Sequence, residues 1–158
     1  MVQRIYILRE VMCMPLDTSD LKTDEIFLKL VYENINEKGL IDGYVFDICL
    51  VADEEIVGSC DLRIGYIGNL YLRGNIGYKV HEQYRGNHYA GKACPLLFGL
   101  ARSHGMEYLY ISCNPDNYAS RKTCEYAGGV LEAIVDIPAD NSLYLEGDRQ
   151  KCIYRVNL

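Results

Sequence analysis

The chain has 158 residues, of which 49% are hydrophobic and 24% charged, a balance typical of one soluble globular domain. Its formal net charge of −6 argues against nucleic acid as a partner, because phosphate backbones attract clustered Lys and Arg. No apolar run is long enough to span a bilayer and no basic leader with an apolar stretch opens the chain, so we expect a cytoplasmic protein with no membrane partner.

Two elements are predicted before residue 40. Residues 4–10 are rich in β-branched and aromatic side chains and predict a strand. Residues 24–32 predict a helix that Gly39 would end. Three apolar residues there approximate a helical stripe: Ile26, Leu30 and Ile35.

An antiparallel meander is predicted next. Residues 45–51 and 56–64 predict a β-hairpin across the turn-prone segment 53–55, and residues 75–80 predict a further strand. A helix over 88–103 follows, ended by Gly105. Pro95 lies too deep for the first turn, so we expect it to remove a backbone hydrogen bond and kink this helix.

The last part of the chain continues the alternation of strands and helices. Residues 108–113 predict a buried strand, and residues 118–127 a second helix that ends at Gly128 and Gly129. Residues 130–137 and 153–156 predict two final strands, joined by a polar loop over 139–149. With no repeat or linker, the sequence predicts a single α/β domain over residues 1–158.

Seven cysteines are spread along the chain, at positions 13, 49, 60, 94, 113, 124 and 152. They form no Cys-x-x-Cys pair, and the three histidines show no zinc-ligand spacing beside them. We therefore expect free thiols that pack as small hydrophobic side chains in a reducing compartment, with no metal and no disulfide.

Charge is distributed unevenly along the chain. Residues 1–57 hold twelve acidic and five basic side chains, whereas residues 63–122 hold eight basic and three acidic ones. The basic segment would suit a polyphosphate and the acidic segment a cationic acceptor. Two solvated faces with no role explain the same distribution equally well.

A strand that leads through a glycine-containing loop into a helix is a suitable site for a phosphate. The first N–H groups of a helix lack internal partners, and the helix dipole favours negative charge. Gly86 would let the chain turn, and Arg85 adds a permanent cation. Taken alone, such a corner is more often only a tight turn.

Three segments together resemble the GNAT superfamily of acetyltransferases. The segment Gly74-Asn75-Ile76-Gly77-Tyr78-Lys79-Val80 is similar to the fourth strand of the family. Arg85-Gly86-Asn87-His88-Tyr89-Ala90 is similar to its Arg/Gln-x-x-Gly-x-Gly/Ala pyrophosphate loop. Residues 117–125, with Gly128 and Gly129, are similar to its Asn-x-x-Ser helix and the turn that ends it. The match extends over about residues 70–135, with the same spacing between the three segments.

The resemblance implies a twisted, mixed but mostly antiparallel sheet flanked by helices, with strands 4 and 5 splayed apart. It implies acetyl-CoA as co-substrate, direct acetyl transfer to an amine in a ternary complex, and an N–H near Val80 that polarises the thioester carbonyl. The implied coenzyme-binding residues are Tyr78, Lys79, Val80, Arg85, Gly86, Asn87, His88, Tyr89, Ala90 and Asn117.

Two residues depart from the family pattern. His88 stands where the second glycine of the loop is usual, and a negative φ would let its side chain point away into solvent. Cys124 stands where many members place the tyrosine that protonates the departing thiolate, so Cys124 is the candidate acid, with plain helix packing as the alternative. Glu82 and His81 follow the fourth strand and are candidate bases, or else solvated turn residues.

Three functions remain open on the sequence. The first is an acetyl-CoA-dependent N-acetyltransferase acting on a small amine or a protein amino group. The second is an acyl-CoA-binding or sensing module with little activity, and the third is a nucleotide-phosphate enzyme, which the missing Gly-x-x-x-x-Gly-Lys-Ser/Thr pattern disfavours. The choice of acceptor is expected to depend on the N-terminal helix and the 139–149 loop. Separately, exposed strand edges would allow two copies of the chain to form a homodimer.

Overall fold

A computed structural model describes residues 16–158, so the predicted strand over 4–10 lies outside the described residues. Within residues 16–158, seven strands form one sheet in the order β1-β2-β3-β4-β5-β7-β6, in which only β4 and β5 run parallel. The strands are β1 Ile26–Ile35, β2 Ile41–Leu50, β3 Ile56–Arg63, β4 Ile76–Val80, β5 Tyr108–Cys113, β6 Val130–Asp136 and β7 Gln150–Asn157. The helices are α1 Leu70–Arg73, α2 Tyr89–Ser103, α3 Tyr118–Tyr126 and α4 Ser142–Leu145.

This architecture confirms the predicted fold class, and most elements lie where the sequence placed them. The hairpin β2–β3, strand β4, helices α2 and α3 and the last three strands are all present. Helix α2 runs through Pro95, whose side chain is exposed. The 139–149 loop contains the short helix α4, which the sequence did not predict. Among the described residues, no helix is both long and apolar enough to cross a bilayer.

The helix predicted over residues 24–32 is wrong, because this segment is strand β1, which pairs with β2. Ile26 and Leu28 are both buried and are two residues apart, as expected of a strand that packs on one side. The helix prediction relied on Ile26 and Leu30 and ignored Leu28. Residues four apart lie on the same face of a strand as well as of a helix, so their spacing did not distinguish the two. Gly39 has φ +73 and lies in the β1–β2 turn rather than at a helix end.

The helices divide between the two faces of the sheet. Helix α2 packs on β1, β3 and β4, and α3 packs on β5, β6 and β7. On β5, the buried Cys113 thiol interacts with Cys124 of α3, whereas the neighbouring Ser112 donates through Oγ to the carbonyl of Leu72 in α1, at 2.7 Å. Successive strand residues point to opposite faces, so α1 covers the face opposite α2 and α3.

Strands β4 and β5 are splayed. They share one register pair, Ile76 with Ile111, and β4 then continues to Val80 with no further partner on that side in the described chain. Beyond this pair, within the described residues, the backbone of β4 has no strand partner towards β5. A gap therefore opens in the middle of the sheet, between the ends of these two strands.

Asn75 fixes the point from which the two strands diverge. Its side chain is fully buried, and Nδ2 donates to the carbonyls of Arg63 and Gly65 at 3.0 and 2.8 Å. Oδ1 accepts from the backbone N–H of Tyr110 on β5 at 2.9 Å. One side chain thus joins the end of β3, the loop after it and β5.

We expect Asn75→Ala to destabilise the domain by roughly 2–5 kcal/mol, because three buried backbone groups would lose their partner. The free energy of unfolding from urea titration measures the effect. The exposed Asn157, at the end of β7, provides the control, and Asn157→Ala should cost no more than about 0.5 kcal/mol. Similar losses in the two variants would contradict this role of Asn75.

Candidate functional site

A cleft of about 490 Å³ lies where β4 leaves β5, between the N-terminal ends of α2 and α3. This volume is within the range of small-molecule and cofactor sites. The cleft is lined by Tyr78, Lys79, Val80, Tyr84, Arg85, Gly86, His88, Tyr89, Ala90, Asn117, Ala119, Ser120, Lys122 and Thr123. All the residues that the sequence predicted for coenzyme binding are therefore at the cleft wall, except Asn87.

The loop before α2 presents a row of free backbone N–H groups. Within the described structure, the amides of residues 86–91 have no hydrogen-bond partner. Gly86 has φ +89, a conformation that other residues rarely adopt, and nothing lies within 4 Å of its Cβ position. Free amides at the N-terminus of a 15-residue helix form a binding site for a phosphate group.

Three contacts hold this loop in place. The Arg85 side chain donates through Nε to the carbonyl of Val80, at 3.2 Å. The Asn87 side chain donates through Nδ2 to the carbonyl of Tyr84, at 2.9 Å, which explains why Asn87 faces away from the cleft. The Tyr84 hydroxyl donates to Glu55 in the β2–β3 turn, and this hydrogen bond raises the pKa of Tyr84. The loop is thus tied both to β4 and to the neighbouring hairpin.

His88 adopts a backbone conformation that the sequence did not predict. Its φ is +59, in the left-handed region, rather than the negative value expected. The exposed imidazole stacks on the ring of Tyr126 from α3, with centroids 4.9 Å apart and an interplanar angle of 12°. Gly91 permits this contact, because a Cβ at that position would collide with the ring of Tyr126. His88 therefore links the first turn of α2 to the end of α3.

Helix α3 contributes the opposite wall of the cleft. Asn117 caps this helix, since its Oδ1 accepts from the N–H of Ser120 at 3.1 Å. Lys122 and Arg85 give the lining two permanent cations, and no carboxylate is among the described lining residues. The electrostatics of the cleft therefore favour an anionic ligand.

The candidate acid Cys124 is fully buried and does not reach the cleft wall. Its Sγ lies 3.6 Å from the hydroxyl of Tyr78, which also donates to the carbonyl of Ser120 at 3.2 Å. A hydrogen bond from Cys113 lowers the pKa of Cys124, while burial opposes that shift. Burial raises the pKa of Tyr78, so its phenol stays neutral. Tyr78 therefore lines the cleft in front of the buried Cys124.

The candidate base Glu82 lies in a 3-10 turn over Glu82–Tyr84. Its side chain and that of His81 are exposed, and neither is among the lining residues. The roles assigned to Glu82 and Cys124 stay predictions. Within residues 16–158, no group of three or more His, Cys, Asp or Glu side chains is arranged to hold a metal ion.

Sequence reasoning missed part of the lining. Four further lining residues belong to the helix that carries the family resemblance: Ala119, Ser120, Lys122 and Thr123. Their helical spacing from Asn117 could have predicted that they lie near it. Tyr84 begins the segment 84–90 on which the sequence centred the cofactor site, whereas its contact with Glu55, which is distant in the sequence, had no such signal.

A family model described as the acetyltransferase (GNAT) domain matches residues 2–130. The chain belongs to the GNAT acetyltransferases. No curated protein sequence matches it. The GNAT assignment agrees with the resemblance of the strand, the loop and the helix that border the cleft.

Solved structures share the GNAT fold at low sequence identity. The microcin C7 self-immunity acetyltransferase MccE, in complex with acetyl-CoA and AMP, is 20% identical with a TM-score of 0.57, over 74% of this chain and 62% of that one. The ribosomal-protein-S5-alanine acetyltransferase from Vibrio fischeri is 17% identical with a TM-score of 0.58, over 73% and 62%. RimL, a ribosomal L7/L12 α-N-protein acetyltransferase in complex with coenzyme A, is 22% identical with a TM-score of 0.57, over 73% and 62%. The matched region thus spans less than two thirds of each of these proteins.

Two substitutions of His88 separate its backbone conformation from its ring contact. A left-handed backbone costs a residue with a Cβ roughly 1 kcal/mol relative to glycine. Both variants lose the stack on Tyr126. His88→Ala keeps the cost of the left-handed backbone, whereas His88→Gly removes it. In urea unfolding we expect His88→Gly to be more stable than His88→Ala by about 1 kcal/mol. Equal stabilities would contradict the left-handed conformation.

Proposed function

We propose that this GNAT domain transfers an acetyl group from acetyl-CoA to an amine. The observation that carries the proposal is the row of unpaired amides over residues 86–91, at the N-terminus of α2 and beside the gap between β4 and β5. The pyrophosphate would accept hydrogen bonds from these amides, and Arg85 and Lys122 would add positive charge. That MccE and RimL were solved with acetyl-CoA and coenzyme A supports the choice of ligand.

The pantetheine arm would follow β4 into the gap. Residues 78–80 line the cleft, and their backbone groups on the β5 side have no strand partner in the described chain. An N–H in this segment would donate to the thioester oxygen as negative charge develops on it during attack. The same geometry would place the acetyl group between the two strands, where an amine can attack directly in a ternary complex.

An acyl-CoA-binding module with little activity is the second candidate. Among the described residues that line the cleft there is no carboxylate, and Cys124 is fully buried. Because an acid and a base for acyl transfer are then not at the cleft wall, both observations favour a domain that binds the coenzyme without catalysing the transfer. The two candidates share the coenzyme site and differ only in whether an acceptor amine releases free thiol.

Gly86→Val tests the coenzyme site. The β-branched side chain would strain the left-handed backbone and disturb the amides that bind the phosphates. In titration calorimetry with acetyl-CoA we expect micromolar binding by the wild type and at least about 10-fold weaker binding by Gly86→Val. Thiol release with a panel of primary amines then separates a transferase from a binding module.

Gly39→Val is the matched control. Gly39 also has a positive φ and an open Cβ position, but it lies in the β1–β2 turn. Both variants should lose similar stability, while only Gly86→Val should lose affinity for acetyl-CoA. Absence of binding by the wild type, or an equal loss of affinity in both variants, would overturn the proposed site.

A further inference from the structure

A carboxylate lies beside the origin of the β4–β5 gap, on the face of the sheet opposite α2 and α3. Asp61 of β3 is in register with Gly77 of β4, which immediately follows the last residue paired with β5. Tyr78 points towards α3, so the preceding position on β4 faces the other side. Gly77 therefore lies one residue, about 3.8 Å along the chain, from the strand segment that lines the cleft, and Asp61 lies beside Gly77 on the adjacent strand.

Gly77 makes room for this carboxylate. A Cβ at position 77 would lie 2.5 Å from Oδ1 of Asp61, which is closer than real Cβ contacts. The other oxygen, Oδ2, is 2.9 Å from the guanidinium of Arg63. Among the described residues Oδ1 has no hydrogen-bond partner, and the Asp61 side chain keeps 27% of its surface exposed. One oxygen is thus held in place while the other is open to water or a ligand.

The surroundings of Asp61 disfavour its charged form relative to its neutral form. Burial raises the pKa of Asp61, and the field of Arg63 only partly offsets this. Other charged side chains on the same face of the sheet include Lys29 of β1, Asp47 of β2, Lys79 of β4 and, beyond the gap, Lys151 and Arg155 of β7. A carboxylate retained at a cost in stability beside a cleft is typical of a functional group rather than of a stabilising ion pair.

Arg63 serves to position Asp61. Its guanidinium also donates to the carbonyl of Gly74 at 3.0 Å, at the C-terminal end of α1. The arginine is therefore fixed between the loop after α1 and the carboxylate. Asp61 cannot turn away from Gly77 without breaking its ion pair.

We infer that Asp61 accepts the proton of a cationic primary amine that enters from the face opposite the coenzyme. This inference rests on the proposed acetyl transfer and names the acceptor side of the same site. The ammonium gives one proton to the carboxylate, and the neutral amine forms the N–C bond as the C–S bond breaks. The second proton passes to the departing thiolate, and Asp61 returns its proton to water, so that one proton is released for each amide formed.

Asp61→Asn tests this role, with Asp47→Asn as the matched control on the same face. The assay is thiol release from acetyl-CoA with a panel of primary amines between pH 6 and 9. We expect Asp61→Asn to lower kcat/KM about 100-fold or more near pH 6 and this loss to shrink as the pH rises, because more of the amine is then already neutral, while Asp47→Asn stays near wild type. Affinity for acetyl-CoA should be unchanged in both variants.

Stability gives a second readout that a structural role would not produce. The folded-state pKa of Asp61 is raised, so its contribution to stability falls as the pH rises through that value. Asp61→Asn removes this loss, so at pH 7 its midpoint of urea unfolding should equal or exceed that of the wild type. A lowered midpoint together with lost acetyl-CoA binding would assign Asp61 a structural role and overturn the inference.

The remaining outcomes distinguish this inference from the proposed function. An active wild type whose Asp61→Asn variant keeps its rate within about 3-fold would overturn the role of Asp61 alone. A wild type that binds acetyl-CoA but acetylates no amine in the panel would overturn both the transferase and its acceptor-side base.

Discussion

The separation of β4 from β5 is the constraint on which the rest of this structure depends. The strands share one register pair, and the buried Asn75 ties the end of β3 and the following loop to β5 at that point. Because the amide group uses both its donors and its acceptor, the two strands cannot slide relative to one another without leaving buried polar groups unpaired. The gap beyond this point is therefore a fixed feature of the sheet.

The cleft follows from what surrounds the gap. Helices α2 and α3 begin beside it, and the amides before α2 have no partner in the described chain. Hydrogen bonds from Arg85 to Val80 and from Tyr84 to Glu55 keep the loop against the sheet. The basic lining agrees with the excess of Lys and Arg in the middle of the sequence. Fixed dipoles and cations thus converge on one space that is suited to a polyphosphate.

The opposite face of the sheet is organised by a separate network. The side chains of Asn69 and Asn141 exchange hydrogen bonds, and Arg73 pairs with Glu146 at 2.6 Å. These contacts hold α1 against the loop that contains α4, and Arg63 connects the same region to Asp61. This face of the domain is consequently framed by short elements whose positions depend on side-chain contacts.

The sequence predicted well the elements that local patterns specify. Helix α2 has a long apolar stripe and a Gly stop, and the β2–β3 hairpin has a turn-prone centre, so each could be placed without knowledge of its neighbours. Strand β1 could not, because Ile26 and Leu30 fit a helical period as well as a strand, and pairing with β2 decides between the two. The small helices α1 and α4 are too short to have a periodic signal.

The same distinction holds for the site. The sequence by itself determined the fold class and the segments that border the cleft, because glycine, Asn and basic residues at fixed spacing carry their chemistry locally. Only the tertiary structure decided that His88 is left-handed, that Cys124 is buried behind Tyr78, and that Asp61 lies at the gap. Each of these depends on partners more than twelve residues away in the chain, and local sequence patterns do not encode contacts of that kind.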